Sequence, residues 1–265
     1  MAIFYDDIPD KFLEWLARQQ VFWVATAALN GHVNVSPKGS SDCFHVVSKN
    51  RVWYEDLTGS GIETISHMRE PGNGRITIMF HAFEGVPRIL RMWGTGTVYE
   101  FGTPEYDALI APEKRKAGSR AAIVIDVHKV ATSCGFGVPQ YKFIGQRSQL
   151  ERFCDSLEKF DREVPPTEMD PKGMKAWWTA ENTSSFDGLP GLRSAHEAPL
   201  TLKNTYDRSA HWPRPPNGPS VAQQTTLTAS GSGIGKLFDL KFLTAFSLGV
   251  VVTATYVRVA SLRVP

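Results

Sequence analysis

The sequence predicts a mainly β protein, a β-barrel with peripheral helices, and two observations carry this prediction. Six stretches rich in valine, isoleucine and aromatic residues recur between residues 21 and 133, as expected for strands. The first two are joined by Asn30-Gly31, the strongest short hairpin signal in the chain. Because hairpin-linked strands with only a few helices suit an antiparallel barrel, we expect that architecture and not a doubly wound sheet.

The predicted elements follow one another in this order. IPDKFLEWLARQ is an amphipathic helix whose apolar side carries Phe12, Leu13 and Leu16. The predicted strands read VFWVATAA, HVNVSPK, RVWYED, RITIMFH, RILRMWGTGTVYE and AAIVIDVHKVATS. The further predicted helices are TPEYDALIA and RSQLERFCDSLEKF. The barrel domain is therefore expected to span residues 1–165, with an extension over 166–190.

Composition narrows the class of protein. The chain has 265 residues, a formal net charge of +2 and no long Lys/Arg run, so it does not suggest a nucleic-acid-binding protein. Cys43, Cys134 and Cys154 form no C-x-x-C pair, which argues against a disulfide framework and a zinc site. Unpaired cysteines fit a reducing, cytoplasmic location. The histidines show no metal-ligand spacing, so we assign no metal.

The C-terminal part has a different composition. Residues 191–235 are rich in Pro, Ser, Thr, Gly, Asn and Gln and are predicted to form a flexible, disordered linker. Residues 236–262 are strongly apolar, but the uncharged stretch between Lys241 and Arg258 is roughly 16 residues, against the ~20 that span a bilayer. We expect an apolar helix that anchors the protein to an organelle membrane, facing the cytosol. A segment that folds back on the barrel is the alternative, and fractionation of a tagged full-length chain distinguishes the two.

A small-residue loop, Thr58-Gly59-Ser60-Gly61, lies between a predicted strand and a predicted helix. The first turn of a helix has unpaired N–H groups, and glycines let an anion approach the backbone closely. The loop is therefore a candidate phosphate cradle. The alternative is an ordinary turn in which Ser60 and Glu63 form a capping box at the start of the helix.

Positive and polar side chains on two strands could complete this site. In Val33–Lys38, alternation places the two valines on one face and Asn34, Ser36 and Lys38 on the other, although a solvated strand face is the alternative. Arg88 and Arg91 are an odd number of residues apart, so a regular strand directs them to opposite faces. Only one of them could then join a phosphate site, and the alternative for each is a surface cation.

A Gly-punctuated turn, Ser133-Cys134-Gly135-Phe136-Gly137-Val138-Pro139, leaves the last predicted strand. Glycine at the end of a strand indicates that the backbone closely approaches another part of the molecule there. Cys134 could be a reactive thiol, but a structural cysteine is the more common reading of such a position.

These motifs together resemble the pyridoxamine-5′-phosphate-oxidase-like family, the FMN-binding split barrels. The resemblance covers roughly residues 5–155 and is carried by FWVATAALNGHVNVSPKG, VWYEDLTGSGIETISHMREPG and RITIMFHAFEGVPRILRMWGTGTVYE. The segment 133–139 is similar to that of a little-characterised branch of this family. The resemblance implies a six-stranded antiparallel split barrel, usually a homodimer, with FMN bound at the subunit interface.

The resemblance also implies roles for individual residues. Lys38 matches the lysine that approaches the flavin phosphate, and Ser60 and Gly61 match the loop that caps it. Arg91 falls at a basic position that faces the cofactor. The strand that lines the flavin ring carries Asn34 and Ser36, and Thr58 and Gly59 complete the loop. Trp93 is a nearby aromatic residue that could cover the ring.

One departure from the family bears on the reaction. The authentic oxidase binds its substrate's phosphate with a C-terminal segment rich in Arg, Trp and Pro, and this chain has no counterpart after residue 155. The resemblance therefore implies an FMN-dependent oxidoreductase with an unknown small substrate, without implying vitamin B6 oxidation. The alternatives are a non-catalytic protein that carries flavin or haem, and a tail-anchored interaction module without a ligand. A deazaflavin in place of FMN also fits, because both present a phosphate and a tricyclic ring.

Overall fold

The computed structural model of the protein describes residues 2–40, 42–199 and 201–202. Within these ranges the strands are β1 (Ile3–Tyr5), β2 (Phe22–Ala27), β3 (Val33–Lys38), β4 (Phe44–Ser48), β5 (Arg51–Leu57), β6 (Arg75–His81), β7 (Ile89–Glu100) and β8 (Ser119–Ser133). The helices are α1 (Asp10–Ala17), α2 (Glu63–Arg69), α3 (Pro104–Leu109), α4 (Gln149–Glu163) and α5 (Met174–Glu181).

The strands form one antiparallel sheet in the order β3-β2-β6-β7-β8-β5-β4, with β1 also paired to β8. This confirms the predicted mainly β architecture with few helices. The prediction of six strands was wrong, because the described sheet has eight. The two missed strands are β1, which has only three residues, and β4, whose FHVVS sequence is mostly exposed in its second half. Both are too short to show a clear hydrophobic period.

Strand alternation builds the core. Phe22 and Val24 of β2 point to the same side as Ile78 and Phe80 of β6, and all four are almost fully buried. The ring of Phe22 lies 5.2–5.5 Å, centroid to centroid, from the rings of its three aromatic neighbours, which are Phe44, Tyr54 and Phe80. Burying side chains of this size contributes about 1.5–3 kcal/mol each, so this cluster is a main part of the hydrophobic core.

Residues 182–198, which we call the C-terminal strap, follow α5 and pack on the barrel. Leu192, Ala195 and Ala198 are at most 6% exposed. The carboxylate of Glu100 at the end of β7 accepts the backbone N–H groups of Arg193, Ser194 and Ala195 at 2.7–3.1 Å. Packed structure thus continues past Gly191, where the linker was predicted to begin.

The predicted apolar C-terminal helix and most of the predicted linker lie outside the described residues. In the part of the chain that is described, no helix is both long enough and apolar enough to cross a membrane. The anchor at residues 236–262 therefore stays a prediction.

Candidate functional site

A buried network of charges connects β3, β5 and β8. Lys38, the last residue of β3, donates from Nζ to Oδ1 of Asp56 at 2.8 Å. Arg120, near the start of β8, donates from Nε to Oδ2 of the same carboxylate at 2.9 Å. β3 and β5 are far apart in the strand order, so the Lys38–Asp56 bond shows that the sheet curls back on itself. We call these three residues the Lys38–Asp56–Arg120 network.

The network retains one net positive charge. Burial raises the pKa of Asp56, but the charges and hydrogen bonds of Lys38 and Arg120 lower it more, so its pKa lies below the usual range. The carboxylate is therefore ionised at neutral pH, and two cations face one anion. The side chain of Lys38 is 21% exposed and that of Arg120 is 5% exposed. An anion from solvent can thus approach this network at Lys38.

Asn182 joins the network to the predicted phosphate loop. This residue of the C-terminal strap is fully buried. Its Oδ1 accepts from Nη1 of Arg120 at 2.7 Å, and its Nδ2 donates to the carbonyl oxygen of Gly59 at 3.0 Å. The position of the loop is therefore coupled to the charged network through one amide side chain.

Thr58, the first residue of the loop, is buried, and its side chain is hydrogen-bonded within the protein. It is 2% exposed, and its hydroxyl donates to the carbonyl of Gly118 at 2.6 Å. The same oxygen accepts from Nε1 of Trp178 at 2.7 Å. The Thr58 hydroxyl thus holds the loop against α5 and the residue before β8, and it has little capacity left for a ligand.

The rest of the loop is more open. A Cβ atom at Gly59 would meet nothing within 4 Å, and Ser60 is exposed. A Cβ atom at Gly61 would instead clash with Oε2 of Glu63, so a glutamate fills the space beside that glycine. Helix α2 has Ile62 as its N-cap and no side-chain cap, so the alternative capping box of Ser60 and Glu63 does not form.

The polar stripe on β3 faces inward, as the alternation predicts. Val33 and Val35 are 72% and 57% exposed, whereas Asn34, Ser36 and Lys38 are half-buried. Nδ2 of Asn34 donates to the hydroxyl of Thr64 on α2 at 3.2 Å, and Ser36 donates to Oδ1 of Asn34 at 3.2 Å. The alternative of a solvated polar face is therefore wrong, since the valines occupy the solvent side.

Arg91 lies on the opposite face of the sheet from Lys38. The register aligns Arg91 with Met79 of β6, Met79 with Trp23 of β2, and Trp23 with Pro37 of β3. Pro37 and Lys38 are adjacent, so their side chains point to opposite faces. Trp93 is two residues from Arg91 and shares its face. One subunit therefore brings Lys38, Asn34, Ser36 and the loop together, and it does not bring Arg91 to them.

Three residues of the site were not singled out from the sequence. Asp56 was visible as one of two carboxylates at the end of an apolar run, which is an unusual place for a buried charge. Arg120 and Asn182 carried no local signal, because each is defined only by the partner that it meets in the folded chain. The guanidinium of Arg88, the residue before β7, lies 4.9 and 5.6 Å from the ring centroids of Phe12 and Trp15.

The glycine-punctuated turn after β8 makes the close approach that the sequence indicates. A Cβ atom at Gly135 would lie 2.8 Å from the backbone nitrogen of Arg88. Only glycine therefore allows this turn to pack against the start of β7. Cys134 is exposed, while Cys43 and Cys154 are buried, and all three are free thiols.

The charge of the residues present fits a cofactor that carries a phosphate. The Lys38–Asp56–Arg120 network supplies one net positive charge, and Ser60 with the open Gly59 supplies a hydroxyl and an accessible backbone. The carboxylate of Glu63 lies beside Gly61 and repels an anion there, so the open part of the loop is Gly59 and Ser60. Within the described residues, no group of three or more His, Cys, Asp or Glu side chains is placed to bind a metal ion.

Comparisons with known proteins match this fold. The profile of a family described as pyridoxamine 5′-phosphate oxidase matches residues 8–134. The pyridoxamine 5′-phosphate oxidase family protein ustO of Aspergillus flavus is 41% identical over 204 residues, which are 74% of this chain and 80% of that protein.

Two solved structures each match about half of this chain at low sequence identity. HupZ of Group A Streptococcus is 22% identical with a TM-score of 0.38, over 46% of this chain and 91% of that chain. A Clostridium acetobutylicum protein related to general stress protein 26, of the pyridoxinephosphate oxidase family, is 15% identical with a TM-score of 0.32, over 48% of this chain and 91% of that chain.

Proposed function

The chain belongs to the pyridoxamine 5′-phosphate oxidase family, and from that premise we propose that it binds FMN and acts as an oxidoreductase on a small substrate. The observation that carries the proposal is the Lys38–Asp56–Arg120 network beside an open Gly-Ser loop. A phosphate requires positive charge and hydrogen-bond donors, and both are held here by buried contacts. FMN, when bound, supplies the redox chemistry as a two-electron carrier.

Different residues of the chain have different roles in the proposed binding of FMN. Lys38 offers the accessible cation, and Ser60 and the backbone around Gly59 and Gly61 offer donors to the phosphate. Asn34 and Ser36 lie on the same face of β3 as Lys38, where they could contact the ribityl chain or the ring. Asp56 and Arg120 hold Lys38 in place and set the charge. Thr58 acts through the loop that it anchors.

A homodimer is part of the proposal. Arg91 and Trp93 lie on the face opposite Lys38, so one subunit does not present both sets of residues to the same flavin. A second copy could supply its Arg91 and Trp93 to the flavin held at Lys38 of the first. The exposed Val33 and Val35 add apolar area to the face that carries Arg91, which suits an interface between copies.

The proposal is tested by the absorbance spectrum of the purified full-length protein and by mass spectrometry of the ligand that heat releases. We expect FMN. Lys38→Ala should weaken flavin binding about tenfold or more, because a hydrogen bond to a charged group contributes roughly 1.5–3 kcal/mol. Lys49→Ala is the matched control, since Lys49 is an exposed lysine paired with Asp10.

Each outcome has a distinct meaning. Equal flavin retention in the Lys38 and Lys49 variants would show that Lys38 does not hold the phosphate. A deazaflavin or haem spectrum would be consistent with this binding site but would identify a different cofactor. A protein that is isolated empty and takes up no added FMN would overturn the proposal and favour the interaction module. Bound FMN without turnover on any donor or acceptor would favour a flavin carrier.

A further inference from the structure

A cavity of about 990 Å³ adjoins the ends of β3 and β5, and its wall includes Pro37, Gly39 and Leu57. Its wall is formed by the end of α1, the end of β3, the β6–β7 connection and the segment 141–147. We call it the aromatic cavity. Its volume is at the upper end of the range, roughly 300–1,000 Å³, that small-molecule sites occupy. The flavin proposal does not use it.

The segment 141–147 is fixed over this cavity by hydrogen bonds. The backbone N–H of Tyr141 donates to the carbonyl of Phe83 at 3.2 Å, and that of Phe143 donates to Oε1 of Glu84 at 2.9 Å. The side chain of Gln146 donates to the carbonyl of Gln20 at 3.2 Å. These bonds tie the segment both to the β6–β7 connection and to the residues after α1. The cavity is therefore a built feature of the fold.

Aromatic rings line much of the wall. The ring of Phe83 makes edge contacts with Tyr141, at 5.2 Å between centroids, and with His81, at 4.4 Å. Trp15 lies on the α1 side, with the guanidinium of Arg88 over its ring. Because aromatic rings pack favourably in offset or edge contact, a further planar ring can pack against this wall. The wall therefore suits a planar aromatic ligand.

The charges of the wall favour an anion. It carries five cations and two carboxylates, and two of the cations are already paired, Arg18 with Glu14 and Lys116 with Glu55. Arg88, Lys142 and Arg147 form no ion pair with any residue in the described part of the chain. Three cations thus face Glu84 and Glu151, which leaves one net positive charge for a ligand with a single negative charge.

Two residues of the wall, His81 and Glu151, each have one buried polar atom without a partner in the described part of the chain. Nε2 of His81 accepts from Nε1 of Trp23 at 2.9 Å, so in the neutral ring the proton is on Nδ1. Burial lowers the pKa of His81, which keeps the ring neutral. His81 is 8% exposed, and its Nδ1–H has no hydrogen-bond partner. Oε1 of Glu151 is likewise buried without a donor.

The positions of these groups are related through the backbone. His81 pairs with Ile89 in the β6–β7 ladder, and the N–H of Ala82 donates to the carbonyl of Arg88 at 2.9 Å. Arg88 therefore lies beside His81 along the backbone, but strand alternation directs their side chains to opposite faces of the sheet. Glu151, on α4, adds an acceptor from a different element.

We propose that the aromatic cavity binds a planar aromatic acid that also carries a hydroxyl or amino group. The carboxylate is bound by Arg88. The rings of Trp15, Phe83 and Tyr141 enclose the aromatic ring. The hydroxyl or amino group donates to Glu151. The wall does not include Lys38, Asp56 or Arg120, and the inference does not depend on flavin binding at their network.

The test is a calorimetric titration of the full-length protein with a hydroxynaphthoic acid, in the presence of saturating FMN. We expect one molecule bound per chain. The methyl ester should bind about tenfold more weakly, because it loses the charge, and naphthoic acid without the hydroxyl should bind a few-fold more weakly. Arg88→Gln, which keeps most of the stem over Trp15, should weaken binding of the acid about tenfold and leave the ester unaffected.

Arg147→Ala is a second variant of the wall, and Arg152→Ala is its matched control, an exposed arginine on α4 outside the cavity. Binding should weaken in the first and stay unchanged in the second. Absence of saturable binding, equal binding of acid and ester, or an equal loss in the Arg152 variant would overturn the inference. Displacement of the acid by FMN would overturn it as well, because the cavity would then be the flavin site.

The Lys38→Ala variant separates the two proposals. If it loses flavin and still binds the acid, both proposals hold. If the wild type binds FMN and not the acid, only the inference about the aromatic cavity fails.

Discussion

The Lys38–Asp56–Arg120 network and the aromatic cavity both present positive charge, and they hold it in opposite ways. In the network every charge is buried or half-buried and paired at 2.8–2.9 Å. In the cavity Arg88, Lys142 and Arg147 have no anionic partner in the described chain, and the walls are aromatic. The network is ordered by its own contacts before any ligand arrives, whereas the cavity leaves its charges available.

Because of this difference, we expect substitutions in the network to lower mainly the stability of the fold, and substitutions in the cavity to weaken mainly ligand binding. Removing one member of a buried ion pair leaves its partner desolvated and unpaired, which costs folding free energy. Removing an unpaired cation at an open site costs the folded protein little and costs the ligand a contact. Substitutions in the two regions should therefore rank differently in unfolding and in binding experiments.

The largest effect on stability is expected from Asp56→Asn. The substitution removes the only carboxylate between Lys38 and Arg120 in the network, so the free energy of unfolding should fall by about 3–5 kcal/mol. Urea denaturation measures it. Asp126→Asn is the control, because the Arg51–Asp126 pair is exposed and should contribute at most about 1 kcal/mol. Equal losses in the two variants would remove the distinction between the buried network and surface pairs.

The wild type and the Asp56→Asn variant should also differ in acid. Because the pKa of Asp56 is lower in the folded protein than its ordinary value of 3.8, its contribution is complete above about pH 4 and is lost as the pH falls further. The amide that replaces this carboxylate cannot titrate, so the variant's stability should decline less steeply than the wild type's below that pH. Parallel declines would show that other carboxylates, such as Glu100, dominate acid unfolding.

A smaller effect is expected from Asn182→Ala, which tests whether the network positions the phosphate loop. The variant leaves a buried N–H of Arg120 and the carbonyl of Gly59 without their partner, so about 1–3 kcal/mol of stability should be lost. Flavin retention should fall with it. Thr183→Ala, one residue further along the strap and half-buried, is the control for both measurements, because among the described residues its hydroxyl hydrogen-bonds only to the carbonyl of Thr179 on α5. Retention equal to wild type would mean that the loop is placed without Asn182.

The smallest effect is expected from Lys142→Ala in the aromatic cavity. This lysine forms no ion pair with a described residue, so thermal and urea unfolding should place the variant within about 0.5 kcal/mol of wild type. A loss as large as that of Asn182→Ala would show that the cavity charges also support the fold, and the contrast between the two regions would fail.

Much of the fold followed from local patterns. The β2–β3 hairpin at Asn30-Gly31, the inward stripe on β3 and the separation of Arg88 from Arg91 were all predictable, because turn chemistry and strand alternation act within a few residues. β1 and β4 were missed because a strand of three to five residues forms only through the neighbour that it pairs with, and such a short strand has no clear local pattern. The packing of the strap was also hidden, because its polar composition resembles a linker.

The sequence by itself determined the class of the fold, the family and the face of β3 that carries Lys38, because periodicity and short motifs are properties of neighbouring residues. Only the tertiary structure decided what Lys38 meets. Its partner Asp56 is 18 residues away, Arg120 lies 64 residues beyond Asp56, and Asn182 lies 62 beyond Arg120. Contacts over such separations depend on how the sheet curls and where the strap returns, and no local pattern specifies either.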